Sequence, residues 1–439
     1  MRLTSVAALI VLGLTLSGCA ERDGRARWYK GNTHTHSLWS DGNDFPDMIV
    51  AWYRERDYDF LALSDHNVLS RGERWMAVDA IVKRAGGDDV MTKYLDRFGG
   101  EWVAMREAKN KDGVTVKQVR LKTLDEIRPR FEKPGEFLLI EAEEITDGFQ
   151  RKPVHINAVN LPELIKPQQG KSVRDTMRNN LRAVLALQKK TGKPILAHLN
   201  HPNFRWGVTA EDLAHVLEED FFEVYNGHPG VRHVGNADHA AVERMWDIAN
   251  TIRLGQLNAR PLFAVATDDS HHYHGRRNSS PGRGWIMVRT RNLSGDAIVK
   301  AMRRGDFYAS SGVTLSEVRY SPSEKLLEIE IEPDGDAEFT TRFIGTETEY
   351  DRESEPVTDA GGKPLDVTRR YSSDVGKVLA TVKGTTAVYR LTGRELYVRA
   401  TVTSSKPADN PAFTGQFKQA WTQPVGWKKH VAADRSQRR

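Results

Sequence analysis

One cysteine, Cys19, is all that the 439 residues contain. Without a second thiol the chain can form no internal disulfide. A structural zinc knot built on thiolates is excluded as well, so a metal held here is held by nitrogen and oxygen. No apolar run is long enough to span a bilayer as a stop-transfer helix; the longest, Val6 to Leu16, is too short. An excess of either charge is also missing. Sixty-four Lys and Arg face 59 Asp and Glu, for a net charge of +5, which gives only a weak pull on acidic partners. There is no basic stripe with interleaved aromatics, which argues against nucleic acid as a partner. No internal repeat is present. What remains, 39% hydrophobic and 28% charged residues, is ordinary soluble composition in a chain long enough for two or three domains.

The first residues read as a targeting segment. Arg2 supplies a positive start, Val6–Leu16 an apolar core, and Leu16-Ser17-Gly18-Cys19 resembles the bacterial lipobox. In signals of that kind the cysteine becomes the lipidated first residue of the mature chain. The expectation is a lipoprotein signal peptide over 1–19, a membrane anchor at Cys19, and a place in the bacterial cell envelope on its periplasmic or extracellular side.

The remainder is organised around Gly31-Asn32-Thr33-His34-Thr35-His36-Ser37, with Asp41-Gly42 just beyond. Histidines spaced by two lie on one side of an extended strand, so both imidazoles can reach one ion. Further on, apolar strands end in polar, metal-competent side chains. Phe60–Leu63 runs into Ser64-Asp65-His66-Asn67, Phe137–Ile140 into Glu141-Ala142-Glu143-Glu144-Ile145-Thr146, Pro194–Ala197 into His198, and Pro261–Thr267 into Asp268-Asp269-Ser270-His271. His155 sits on the apolar strand Val154–Val159, and another strand covers Phe222–Gly227. Helices are expected over Asp44–Arg56, from a Ser172 cap to Lys190 with Gly192 closing it, and over Thr209–Glu219, Asn236–Leu257 and Ser294–Arg304. The alternation is a βα pattern. Polar groups spread over nearly every strand end suit a barrel better than a doubly wound sheet, which gathers them at one switch point. A polar, helix-rich insertion covers about 69–135. From Phe307 the texture changes to alternating strands between Gly, Asp and Ser clusters, a sandwich-like all-β unit over 307–427. A basic tail follows over 428–439.

The strand-end set His34, His36, Asp41, His66, Glu144, His155, His198, Asp269 and His271 exceeds the needs of one ion and suits two or three with a bridging carboxylate. Its order of His-x-His, Asp-Gly, Ser-Asp-His, Glu-Ile-Thr, a strand histidine, Ala-His and Asp-x-His resembles the PHP superfamily, the polymerase and histidinol phosphatase domain. The match spans about Tyr29 to Met287 with the insertion interrupting it, and it is specific as an ordered set. Phe307-Tyr308-Ala309-Ser310-Ser311-Gly312 and Ala420-Trp421-Thr422-Gln423-Pro424-Val425 resemble the secreted, carbaryl-hydrolase-like members.

This resemblance implies an α/β fold, a distorted seven-stranded (β/α) barrel over 27–306, and a cluster of two or three divalent ions, Mn, Zn or Fe. Position by position, all nine residues of the set match ligand positions. Asp41 stands where histidine is common, and Asp268 where serine is usual. Ala-His-Pro of the family is split here into Ala197-His198 and His201-Pro202; His198, which directly ends the strand, is favoured over His201 as ligand. The implied activity is metal-dependent hydrolysis, with a phosphoesterase acting on a small anionic ester as the leading reading. An ester, amide or carbamate hydrolase with the same metals is the alternative within enzymes, and a lipid-anchored binding protein with a structural metal site is the alternative outside them. Candidate catalytic groups are Asp41, His201 and Arg276. Arg205 and Arg277 are further anion contacts, His228 and His272 further proton donors or substrate contacts, and Asp65, Asn67 and Asp268 orient ligand rings.

Overall fold

The computed structural model describes residues 25–87, 89–275 and 278–431. The targeting segment with Cys19, the arginines Arg276 and Arg277, and most of the basic tail lie outside the described residues. Among the described residues no helix is long and apolar enough to cross a membrane.

The strands that position the site are β1 (Arg27–Asn32), β2 (Phe60–Leu63), β3 (Leu138–Phe149), β4 (Lys152–Val159), β5 (Leu196–Leu199), β6 (Phe221–Asn226) and β7 (Phe263–Thr267). They stand in the order β7-β6-β5-β4-β3-β2-β1 within one sheet. β2 and β7 are buried at every position, as expected of strands covered on both faces. Pairing is parallel for β1–β2, β2–β3, β5–β6 and β6–β7. It is antiparallel for β3–β4 and β4–β5.

The plain βα alternation read from the sequence therefore breaks in the middle. Only Gln150 and Arg151 separate β3 from β4, too few for the crossover that a parallel neighbour needs. The reversal has a consequence for the site. His155, near the start of β4, comes level with the carboxyl-terminal ends of the parallel strands. At that same end the chain after β7 is hydrogen-bonded to the chain after β1. Asp269 N–H donates to the His34 carbonyl at 2.9 Å and His36 N–H to the Ser270 carbonyl at 3.0 Å. Thr35 and Ser270 form a parallel bridge.

Beyond β1 the sheet continues through β8 (Trp285–Thr290), β9 (Phe307–Ser310), β10 (Phe339–Glu347), β11 (Lys377–Lys383), β12 (Glu395–Pro407) and β13 (Phe417–Thr422), in the order β8-β9-β13-β12-β10-β11. Strand pairing thus passes across the expected boundary at 306/307 without a break, β9 lying between β8 and β13. A second, three-stranded sheet (Leu315–Ser321, Leu326–Ile331, Thr386–Arg390) shares a core with these strands, in which Leu327 and Ile329 meet Tyr308, Phe343, Val398 and Ala400. The result is two apolar faces packed on each other, the logic of a sandwich.

Helix α1 (Pro46–Arg54) precedes β2, and the insertion after β2 holds α2 (Val78–Ala85), α3 (Asp89–Phe98) and α4 (Leu124–Phe131). It also contains a three-stranded antiparallel sheet of Trp75–Ala77, Thr115–Arg120 and Met105–Lys109 that the sequence reading, which saw helices only, did not anticipate. Met105–Lys109 is exposed over almost its whole length, so no apolar alternation betrays it. The insertion braces the loop carrying His36 and Asp41. Trp39 donates its indole N–H to the Lys122 carbonyl at 3.0 Å, and Arg84 donates to the Ser40 carbonyl at 2.7 Å. Gly42 is needed there because a Cβ would come within 2.4 Å of the His36 carbonyl oxygen.

Helix α5 (Val173–Thr191) has the expected ends. Ser172 Oγ accepts from Asp175 N–H, and Gly192 caps it at φ 70°. Helices α6 (Ala210–His215), α7 (Val242–Gly255) and α8 (Gly295–Arg304) follow. The start of α7 falls six residues later than expected because Asn236 Oδ1 takes the Asp238 and His239 N–H groups into a turn. Arg399 of β12 is buried and makes a two-pronged pair with Asp247 of α7 at 2.8 and 2.7 Å, tying the second half of the chain to the first.

Candidate metal centre

The site grows out of the segment after β1. Asn32 Oδ1 accepts the His34 N–H at 3.0 Å, and Asn32 Nδ2 donates to the Gly284 carbonyl at 2.8 Å, which fixes the extended course of the chain. His34 and His36 are fully buried, and their Nε2 atoms lie 3.1 Å apart. His34 Nδ1 faces Glu223 Oε1 at 2.7 Å. A carboxylate there can only accept, so Nδ1 carries a proton and Nε2 is the nitrogen left to bind an ion, although, against burial, Asp269, Glu223 and Glu144 raise the ring well above the usual imidazole range.

Three groups of ligand atoms form, each with all members within 4.8 Å of one another: His36, Asp41, His66 and His271; His34, His36 and Asp269; Glu144, His155 and His201. Asp269 Oδ1 lies 3.3 Å from His34 Nε2 and 3.2 Å from His36 Nε2. Asp41 Oδ1 lies 3.5 Å from His66 Nε2 and 3.3 Å from His271 Nε2. Glu144 links the groups. Its Oε1 is 3.0 Å from His155 Nδ1, 3.4 Å from His201 Nε2 and 3.5 Å from His34 Nε2, while its Oε2 is 3.4 Å from His36 Nε2. Glu144 and Asp269 are buried, whereas the Asp41 carboxylate is 58% exposed, so the group at Asp41 faces solvent.

The electrostatics are those of buried acids balanced by imidazoles alone. Burial alone would raise Glu144, yet the imidazoles of His66, His34 and His155 hold it well below the usual carboxylate range. Asp269 is likewise held low, against burial, by His34, His36 and His271. The balance falls on the rings. Burial disfavours a proton on His66, but Glu144 and Asp41 push it up to about 11. His36 is driven down to about 3 by burial and by the neighbouring His271 and His66. Among the described residues no lysine or arginine pairs with Asp41, Glu144 or Asp269. Glu144 Oε2 is buried and lies 2.7 Å from His66 Nδ1 and 3.4 Å from His36 Nε2. Buried carboxylates that face only imidazole rings are costly unless those rings carry protons or a metal cation takes the place of the protons. The donor set of nitrogen and carboxylate oxygen fits divalent first-row ions.

His198, favoured as a ligand from the sequence, lies outside all three groups. It is paired directly opposite Asn157, and its Nε2 meets Thr33 Oγ1 at 3.1 Å, one layer below the others. His201 stands in the position next to Glu144 instead, reached by a left-handed backbone at φ 28°. Asn67 (φ 51°) and Asp269 (φ 47°) are left-handed too. Such conformations cost about 1–3 kcal/mol for a residue other than glycine and gather where function demands them.

Of the expected orienting groups, Asp65 acts at one remove. It accepts from the Ser37 and Ser40 hydroxyls at 2.7 and 2.5 Å, and Ser40 Oγ lies 3.4 Å from His36 Nδ1. Asn67 pins β2 to β3 through Thr146, whose hydroxyl meets His66 Nδ1 at 2.5 Å. Asp268 touches no ligand ring; it accepts from Tyr53 OH and from the Gly282, Arg283 and Gly284 N–H groups. Arg205 is exposed, its guanidinium over the Phe204 ring. His228 is half-buried with its ring 5.8 Å from that of His271, and its Nδ1 accepts the Gly230 N–H at 2.9 Å, so Nε2 carries the proton. His272 is half-buried, its ring 6.4 Å from that of His271.

Sequence reasoning missed Glu223 and Asn200. Glu223, buried within β6, accepts from His34, Thr267, Asn226 and the His201 backbone. Asn200 donates to Glu144 Oε1 at 2.8 Å. The available signal was an acid inside the run Phe222-Glu223-Val224-Tyr225, where an unpaired charge is not tolerated.

Comparison with protein-family models and with curated proteins finds no match. Among solved structures, a two-domain protein from Bacteroides vulgatus described as containing a predicted PHP-like metal-dependent phosphoesterase aligns over 91% of this chain and 96% of its own, at 15% identity and a TM-score of 0.36. A putative metal-dependent phosphoesterase from Bifidobacterium adolescentis aligns over 62% of this chain and 96% of its own, at 14% identity and a TM-score of 0.29. Scores at this level carry no weight for fold or activity.

Proposed function

We propose that the chain is a metal-dependent hydrolase of the PHP type, a phosphoesterase working with two or three divalent ions. One observation carries the reading: imidazoles and acids from distant parts of the chain converge on the buried Glu144, with no lysine or arginine among the described residues to neutralise them. His34, His36, Asp41, His66, Glu144, His155, His201, Asp269 and His271 would hold the ions, with Mn, Zn and Fe all compatible with the donor set. Bound there, divalent ions would supply an acidified water and offset negative charge that develops on a phosphoryl oxygen.

The protein's part follows from its own contacts. Glu223 holds His34 in the Nδ1–H tautomer so that Nε2 points at the centre. The Asp269 carbonyl accepts from His271 Nδ1 at 2.8 Å and does the same for that ring. His228 presents Nε2–H beside His271, placed to donate to a substrate oxygen. No side-chain nucleophile is required. The strands β1–β7, joined at the mouth by Thr35 and Ser270, are read as the distorted barrel of that family. The lipobox-like Leu16-Ser17-Gly18-Cys19 supports a lipid-anchored place in the cell envelope.

The test is metal-stripped protein reloaded with Mn, Zn or Fe and assayed on p-nitrophenyl phosphate and p-nitrophenyl acetate, with elemental analysis alongside. Metal-restored turnover of the phosphate ester is expected. Turnover of the acetate alone moves the assignment to the carboxylic ester, amide or carbamate class. Tight metal retention with neither activity refutes the enzyme.

A further inference from the structure

Away from the metal centre lies a cavity of about 540 Å³, within the range of small-molecule sites. It opens at the other end of the strands. Phe263 and Phe307, which begin β7 and β9, form part of its wall with Leu327 and Trp427. Asp269 of the metal centre is six residues further along from Phe263, a strand distance of roughly 20 Å. The cavity therefore sits between the base of the first strands and the second, three-stranded sheet, and shares no lining residue with the metal centre.

Its charge is one-sided. Arg289, Arg304, Lys325, Lys428 and Lys429 line it, with Asp306 as the single acid. Some of these cations are already engaged: Arg289 pairs with Glu317, Arg304 with Asp306, and Lys429 donates to the Gly393 carbonyl. Lys325 and Lys428 are different. Among the described residues neither has a carboxylate partner, and both are exposed where they line the cavity. Surface lysines usually face only water; these two line a cavity whose wall includes Phe263, Phe307, Leu327 and Trp427. That combination complements a molecule with an apolar body and one negative head.

We propose that this cavity binds a small anionic amphiphile, its apolar part against Phe263, Phe307, Leu327 and Trp427 and its head at Lys325 and Lys428. A cationic amphiphile of the same length would meet like charge at the rim.

The experiment uses the full, metal-loaded chain and the fluorescent aromatic sulfonate 8-anilinonaphthalene-1-sulfonate, with dodecanoate and dodecylammonium as competitors. Saturable binding of one sulfonate per chain is expected, displaced by dodecanoate and not by dodecylammonium at equal concentration. The double variant Lys325→Glu/Lys428→Glu should weaken dodecanoate binding at least tenfold, with unchanged circular dichroism and unchanged turnover of p-nitrophenyl phosphate. Trp427→Ala, which removes wall but no charge, should weaken the sulfonate and dodecanoate alike. Equal competition by the cation, or unaltered affinity in the double variant, overturns the proposal. So does binding that appears only with phosphatidylglycerol vesicles and not with free dodecanoate, since that assigns the lysines to a lipid surface rather than to the cavity.

Discussion

Replacing Glu223 by Gln is the most informative perturbation of the centre, because Glu223 is not a ligand candidate and yet determines how one presents itself. Its Oε1 accepts from His34 Nδ1 at 2.7 Å and from Thr267 Oγ1 at 2.6 Å; its Oε2 accepts from the His201 N–H at 2.8 Å and Asn226 Nδ2 at 2.7 Å. All four partners are able to donate, and a carboxylate serves them with acceptors only. In Glu223→Gln, one oxygen becomes an NH₂ group that faces two donors whichever way the amide lies. If it faces His34, the ring must flip its tautomer and lose the lone pair directed at the centre. If it faces His201 and Asn226, the loop that presents His201 is pushed out of its left-handed turn. Hydrogen bonds to a charged group are worth about 1.5–3 kcal/mol each. Changes to groups that orient metal ligands typically cost about 10–100-fold in metal affinity or activity. We therefore expect the apparent Mn affinity, read by dialysis with elemental analysis and by titrating turnover, to fall about 10–100-fold, with a smaller loss of kcat at saturating Mn. Glu219→Gln is the control, a buried acid in the segment leading into β6 whose carboxylate accepts from the Asp220 and Phe221 N–H groups. Metal affinity within twofold of wild type in Glu223→Gln, with a folded variant, would refute the claim that Glu223 sets the His34 tautomer.

The remaining expectations are simpler. Glu144→Gln should lose metal content and, because a carboxylate shared between ions supports several kcal/mol of charge stabilisation, lower kcat on the order of 10³-fold; elemental analysis and a single-turnover assay read both. His201→Ala should deplete metal, whereas His198→Ala, which breaks one hydrogen bond to Thr33, should keep its metal and lose about 1 kcal/mol of stability, so equal depletion in both would restore His198 as a ligand. Asp47, beneath the insertion, is pushed up to about 6 by burial, with the Trp102 and Tyr94 donors opposing. A raised acid favours the fold in its protonated form, so its contribution is greatest below about pH 4 and falls by about 3 kcal/mol as pH rises to 6. Thermal melts of Asp47→Asn minus wild type should show the gap opening across that window and flat above it.

Much of the site was legible because its residues follow local rules. A strand that ends in His-x-His, or an apolar run that ends in Ser-Asp-His or Asp-x-His, displays its chemistry within a few positions, and the helix caps at Ser172 and Gly192 do the same for α5. What was not legible depends on pairing across the sheet. The direction of β4 is set by a two-residue connection and not by composition, so Val154–Val159 reads as a strand without revealing that it runs backwards. In the insertion Met105–Lys109 is exposed over almost its whole length, and Thr115–Arg120 buries only Val119 fully, so little apolar period shows. Glu223 looks like any acid in a strand until the fold brings His34, Thr267 and Asn226 around it.

The structure groups His201, and not His198, with Glu144 and His155. In the register of β4 with β5, Asn157 lies opposite His198 and Ile156 opposite Leu199, which puts Asn200 level with His155. Glu144 lies opposite Asn157, in the row of His198, but its carboxylate reaches His155, whose row passes through residue 200. Asn200 does meet Glu144, by donating an amide hydrogen, and the next residue curls back at φ 28° to bring its imidazole to the same carboxylate. The Ala-His ending of β5 marks a layer occupied by Thr33 and Asn157, where a buried histidine supports the chain that carries His34 rather than facing the centre. Register alone therefore does not separate the two histidines; the side-chain contacts do, His198 Nε2 meeting Thr33 Oγ1 and His201 Nε2 meeting Glu144 Oε1. Here two extra residues, and a strained turn, were needed to reach it.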